Sequence, residues 1–256
     1  MMFSEDPREA IIKYRLKTIR YVIPVMSYKG GVGKTIVSSL LALSLSDLGY
    51  RVGLLDLDFT NPSLHRVLGV DPTATKPREE KGVVPPEVDR VSFMSLAYYI
   101  GENPAPFRGK ELYEIYREIF SITIWGEKDF LIIDHPPGLS DISLDTINLI
   151  GKYSRPLIVS SVSKLAITPT INLVNLLREV GVDPLGVVIN MYRDDSEISR
   201  EVEESFRRSG VELLGRIRYD LSVERFIGSL NNLRSSLVYR DVREVIINEV
   251  LKRLGI

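Results

Sequence analysis

Apolar residues along this chain fall into short runs, separated by stretches long enough to hold helices. The run Tyr21 to Met26 is of strand length and leads into a glycine-rich turn. After the turn, Val37, Leu41, Leu45 and Leu48 recur at helical spacing up to Gly49, a natural helix stop. A second run, from Arg51 through Leu54 and Leu55 to Asp58, ends in acids and reads as a buried strand. Similar runs lie at Phe130 to Ile133, Leu157 to Val162 and Val187 to Ile189. This alternation predicts an α/β fold, a mostly parallel β-sheet flanked by helices on both faces. Ile198 to Gly210 and Val238 to Leu254 read as further helices. Pro24 sits inside the first strand, where it cannot donate to a ladder, so a bulge or an unusual register is expected there. The stretch Asp71 to Lys110 is rich in Pro and Gly with weak periodicity. It is expected to run over the sheet's C-terminal edge, where open α/β sheets bind ligands. With no fixed-period repeat and no clear linker, one domain over residues 1–256 is expected, residues 1–20 forming an N-terminal helical extension.

Composition narrows the function classes. The 256 residues carry 33 Lys and Arg against 34 Asp and Glu, a net charge of −1, so no overall basic field draws the chain to nucleic acid or anionic lipid. Cysteine is absent, which removes disulfides, thiolate nucleophiles, cysteine zinc sites and any self-supplied cysteine-ligated iron–sulfur cluster. The first twenty residues mix acids and bases without an apolar core, and no apolar run approaches the ~18 residues of a membrane span. A cytoplasmic location is expected.

The strongest chemical signal is Lys29-Gly30-Gly31-Val32-Gly33-Lys34-Thr35-Ile36, set between a strand and a helix. The glycines let successive backbone N–H groups turn toward an anion, and the helix beginning near Lys34 adds the positive end of its dipole. In that setting Lys34 reaches β- and γ-phosphate oxygens and the Thr35 hydroxyl can meet Mg²⁺. Phosphoryl transfer also needs carboxylates to hold the metal and to position water, and both jobs suit strand ends. Asp56 and Asp58, two apart, are expected on the same side of an extended strand end. Asp134 closes Phe130-Leu131-Ile132-Ile133 in the Walker B manner, directly before His135-Pro136-Pro137-Gly138. Asn190 ends another strand; an Asn amide can pair with adenine, and a turn residue is the other reading.

Tyr28 stands where a plain P-loop has its first Gly, and Lys29 is an extra lysine. In this the chain resembles the deviant Walker A family of ParA, MinD and Mrp/NBP35 ATPases. The resemblance to the Mrp/NBP35 branch runs from about Tyr21 into the 220s. It rests on the segment after the second strand with Asn61-Pro62-Ser63, on Phe107-Arg108-Gly109-Lys110, on Trp125 through Asp141 and on Leu185 to Met191. It implies a P-loop NTPase three-layer sandwich, ATP and Mg²⁺ as cofactors, slow hydrolysis, and a nucleotide-sandwich homodimer in which Lys29 acts across the interface. A solvated surface lysine is the other reading of Lys29. The resemblance further implies that Asp58 orients the hydrolytic water, that Asp56 lies near the metal shell with Thr35 and Asp134, that Gly138 offers its N–H to the γ-phosphate, and that Asn190 contacts the base. The implied pathway is iron–sulfur cluster assembly through a client protein of unknown identity.

The chain departs from that pattern after Met191. Where the branch carries Cys-x-x-Cys, this sequence continues Tyr192-Arg193-Asp194-Asp195, and two His in the whole chain cannot replace a thiolate cage. A rival expectation is a ParA/MinD-like positioning ATPase acting on DNA or a membrane. Arg207, Arg208, Arg216, Arg218 and Arg225 could face DNA, but from Arg200 onward the net is only about +2. The terminal VREVIINEVLKRLGI carries acids beside its apolar stripe and fits a docked helix better than a membrane anchor. A third reading is a nucleotide-gated adaptor that hydrolyses little. Nucleic acid and membrane are therefore not the expected partners.

Overall fold

The computed structural model describes residues 6–59, 62–101, 110–138 and 141–256. Its strands are β1 (Ile19–Met26), β2 (Val52–Asp56), β3 (Arg78–Glu79), β4 (Val83–Val84), β5 (Glu87–Val88), β6 (Val91–Ser95), β7 (Lys128–Asp134), β8 (Leu157–Ser161), β9 (Gly186–Tyr192) and β10 (Leu213–Arg218). The helices are α1 (Pro7–Leu16), α2 (Lys34–Asp47), α3 (Leu64–Leu68), α4 (Ala97–Ile100), α5 (Lys110–Ile122), α6 (Asp141–Ile150), α7 (Lys164–Glu179), α8 (Glu197–Arg208), α9 (Ser222–Phe226), α10 (Leu230–Ser235), α11 (Leu237–Asp241) and α12 (Ile247–Leu254). A π-helical stretch at Val242–Ile246 joins α11 to α12 without a break.

Eight strands form one sheet in the order β10-β9-β8-β1-β7-β2-β6-β5, parallel throughout except for the short edge strand β5. Every residue of β2 and β6 is buried. Because successive strand side chains point to opposite faces, that pattern requires cover on both sides, as a parallel sheet needs. A distinct apolar cluster lies under α7 and α8, where Leu173, Val174 and Leu177 meet Val202 and Phe206. At the other end of the chain, Asp6 caps α1 through its side chain and Pro7 occupies the first turn, where a missing N–H costs nothing. The terminal helix α12 buries Ile247 and Val250, so its apolar side faces the body of the protein.

Two expectations are corrected. Pro24 produces no shift of register: β1 pairs with β7 continuously from Tyr21 to Val25. The Val22 carbonyl accepts from Arg155 on the β8 side, and alternation puts the missing Pro24 N–H on that same side. The β1–β8 ladder skips Ile23 and Pro24 while keeping one register at either side of them. The stretch Asp71 to Lys110 is also more than an excursion over the C-terminal edge. Its β3–β4 hairpin abuts the segment before β7, where Ile124 N–H donates to the Val83 carbonyl, at the sheet's N-terminal end. It then contributes the core strand β6. Asn61 and Arg108 lie outside the described residues.

Candidate functional site

Strand register assembles the acidic floor of the site. Asp56 lies level with Asp134 on one neighbouring strand and with Ser95 on the other. The P-loop then brings α2 over this floor. Gly31 and Gly33 adopt left-handed φ values of 77° and 79°. At Gly33 a Cβ would overlap the Asn190 side-chain amide, so both conformation and space demand glycine.

Asp134 is fully buried and accepts three side-chain donors: Lys34 Nζ at 2.6 Å, Ser38 Oγ at 2.7 Å and Thr35 Oγ1 at 2.9 Å. Lys34 is 6% exposed, so this is an interior ion pair. Asp56 accepts from Ser95 Oγ at 3.2 Å and from the Asp58 N–H at 3.2 Å. Burial, with the Asp134 charge adding to it, pushes the Asp56 carboxyl up to about 8.

Asp56 and Asp58 do not share one side of a continuing strand. The strand ends at Asp56, which is 1% exposed, and the chain turns. Asp58 lines an open cleft of about 360 Å³ together with Lys29, the P-loop backbone, Thr35 and Pro137. Lys29 is exposed at the rim. Gly138, at φ 82°, donates its N–H to the Ser27 carbonyl at 2.9 Å rather than into the cleft. Asn190 is buried and donates from Nδ2 to the Val32 carbonyl at 2.8 Å, so its amide N–H clamps the P-loop. His135 is buried, with Nδ1 on the Pro136 carbonyl and Nε2 on the Thr146 hydroxyl. Burial holds the ring at about 4, neutral at pH 7.

Sequence reading missed three serines. Ser38 could have been found one helical turn beyond Lys34. Ser95 is visible only once β6 is placed beside β2. Ser27 tethers the P-loop to the 135–138 segment by accepting from Gly138 and donating to the Lys29 carbonyl at 3.0 Å.

The residues fit Mg²⁺ and a nucleotide. Thr35, hydrogen-bonded to Asp134, lines the cleft together with the glycine-rich loop. Mg²⁺ takes few protein side chains and completes its shell with phosphate and water, so one hydroxyl and one carboxylate, as Thr35 and Asp134 provide, suit it. An iron–sulfur cluster, as cargo, would find no thiolate here.

Comparison with known proteins agrees with this geometry. The family model for the NUBPL iron-transfer P-loop NTPase, of ParA type, matches residues 18–231. An iron-sulfur cluster carrier protein of Pyrococcus horikoshii is 32% identical over 236 residues, covering 84% of this chain and 80% of its own. One from Methanococcus maripaludis is 33% identical over 189 residues, covering 73% of this chain and 65% of its own. The cytosolic Fe-S cluster assembly factor CFD1 of Kluyveromyces lactis is 32% identical over 247 residues, covering 88% and 87%. Among solved structures, a nucleotide-binding protein of Archaeoglobus fulgidus in complex with ADP superposes with a TM-score of 0.74 at 26% identity, covering 91% of this chain and 95% of its own. The cell division ATPase MinD of Pyrococcus furiosus shares the fold, with a TM-score of 0.65 at 24% identity, covering 91% and 99%. This chain belongs to the NUBPL iron-transfer P-loop NTPase family.

Proposed function

We propose that the chain binds and slowly hydrolyses ATP with Mg²⁺, and that ATP gates a homodimer that serves iron–sulfur cluster assembly through a client protein. The observation that carries this reading is the Lys34–Asp134–Thr35–Ser38 cluster at the foot of the P-loop cleft. Asp134 holds both the Lys34 ammonium and the Thr35 hydroxyl. Triphosphate would draw Lys34 toward its oxygens, and Thr35 and Asp134 are the residues to hold Mg²⁺. The metal, when bound, neutralises charge that develops on the phosphates. Asp58, at the cleft wall, is the group to orient water, and Lys29, exposed at the rim, is the group to reach a second subunit. With no cysteine in the chain, the client or another protein must supply the cluster's thiolates.

Titration calorimetry with Mg·ATP, paired with a phosphate-release assay, tests the assignment. Lys34→Ala should lose nucleotide binding by at least about 100-fold, as expected for a buried charge-assisted contact. Asp58→Ala should bind ATP as the wild type does and turn over at least about 10-fold more slowly, within the range of a positioned base. Tight ATP binding by Lys34→Ala would refute the phosphate site. Wild-type turnover by Asp58→Ala would refute the role given to Asp58.

A further inference from the structure

Beside the phosphate cleft lies a second, mostly apolar cavity of about 300 Å³, whose walls include Ile36, Met191, Tyr219, Val223 and Val238. Gly33 and Ile36 line both spaces, so the cavity opens where the far end of a P-loop nucleotide would lie. Asn190, expected from sequence to read the base, also lines this cavity, with one Nδ2 hydrogen donated to the Val32 carbonyl. Tyr219 lines the cavity as well, and its ring is held by a clasp between two strand ends. Arg193, just after β9, covers the Tyr219 ring at 4.5 Å, while Arg216, on β10, covers the Tyr192 ring at 4.9 Å. Each strand end thus offers one cation and one ring to the other. The Tyr219 N–H donates to the Tyr192 carbonyl at 2.8 Å, closing the clasp through the backbone. Tyr219 is a wall of the cavity, whereas Arg193, which covers its ring, is not among the residues lining it.

We infer that Tyr219, held in place by Arg193, is the platform on which the base of the bound nucleotide stacks. The segment after Met191 then has work in base recognition in a chain without cysteine. A ring already fixed on one face costs little further ordering when a base meets it, and a π-face with a cation behind it suits a planar heterocycle. The inference rests on the nucleotide reading of the phosphate cleft.

Calorimetry with two probes, Mg·ADP and Mg·pyrophosphate, separates the two ideas. Tyr219→Ala should weaken ADP at least about 10-fold, within the range of one base–aromatic stack, and leave pyrophosphate unchanged. Tyr219→Phe should restore ADP affinity to within about 3-fold, and Arg193→Ala should weaken ADP about 2- to 5-fold, the scale of an exposed cation–π contact. Unchanged pyrophosphate binding also shows that each variant is folded. ADP affinity in Tyr219→Ala within about 2-fold of wild type, or an equal loss of both probes, would overturn the stacking role. If wild-type protein bound neither probe, the phosphate site itself would fall and the platform with it.

Discussion

Asp134 divides two oxygens among three donors, and two of those donors are the residues expected to serve phosphate and metal. An interior ion pair of this kind does little for stability as a pair, but losing one partner strands the other charge away from water. Asp134→Ala should therefore destabilise the ligand-free protein by about 3–5 kcal/mol in urea denaturation, because Lys34 would be left buried without a counter-charge. A loss below about 1 kcal/mol would mean that Lys34 swings freely to solvent. At this scale the glycine-rich turn before α2 was legible, since its left-handed glycines and the helix start lie in adjacent residues. Asp134 was legible too, as an acid closing an apolar strand. Ser95 was not, because its meeting with Asp56 depends on strands 39 residues apart in sequence lying in register. Asn190 was singled out, yet the structure shows its N–H donated to the P-loop backbone, a partner that no local spacing announces.

Among the elements, β6 shows how sequence reading can fail. Val91-Ser92-Phe93-Met94-Ser95 is buried throughout, but its two serines and the Pro-rich approach blur the apolar run that marks a strand. Pro24 misleads differently, because one lost donor on one side of a central strand leaves the opposite ladder and the register intact. The C-terminal end of α2 offers a test of how elements are joined. Asp47, its last residue, sits where a helix dipole disfavours an acid. It is compensated by Arg234 of α10 at 2.8 and 2.9 Å, by Arg90 at 2.8 Å and by the Tyr239 hydroxyl of α11. Burial raises its carboxyl, but the bonds from Arg234 and Tyr239 outweigh that, and it ends below its ordinary 3.8. A depressed carboxyl stabilises the fold above its unfolded value and loses that contribution as pH falls through its folded value. Asp47→Asn should cost about 1–3 kcal/mol at neutral pH. In thermal melts the gap between variant and wild type should close as pH falls below 3.8. A gap that persisted unchanged in acid would show that packing, not charge, links these helices.

For the whole molecule, the layered sheet and its site at the C-terminal strand ends follow from alternating apolar runs, and the family comparison agrees with that reading. What a single chain does not display is its assembly. Lys29 is exposed and lines the cleft. That placement fits a solvated surface lysine as well as the proposed reach to a second subunit. The terminal helix, by contrast, spends its apolar residues inward, and among the described residues no helix is long and apolar enough to cross a membrane. The proposed function centres on an ATP-closed dimer. The most direct measurement is light-scattering mass in Mg·ATP and in Mg·ADP, on the slow-turnover Asp58→Ala background with and without Lys29→Ala. The expected result is a dimer in ATP and a monomer in ADP when Lys29 is present, and a monomer that still binds ATP when it is replaced. A mass that ignored the nucleotide, or an ATP-induced dimer that survived Lys29→Ala, would contradict it.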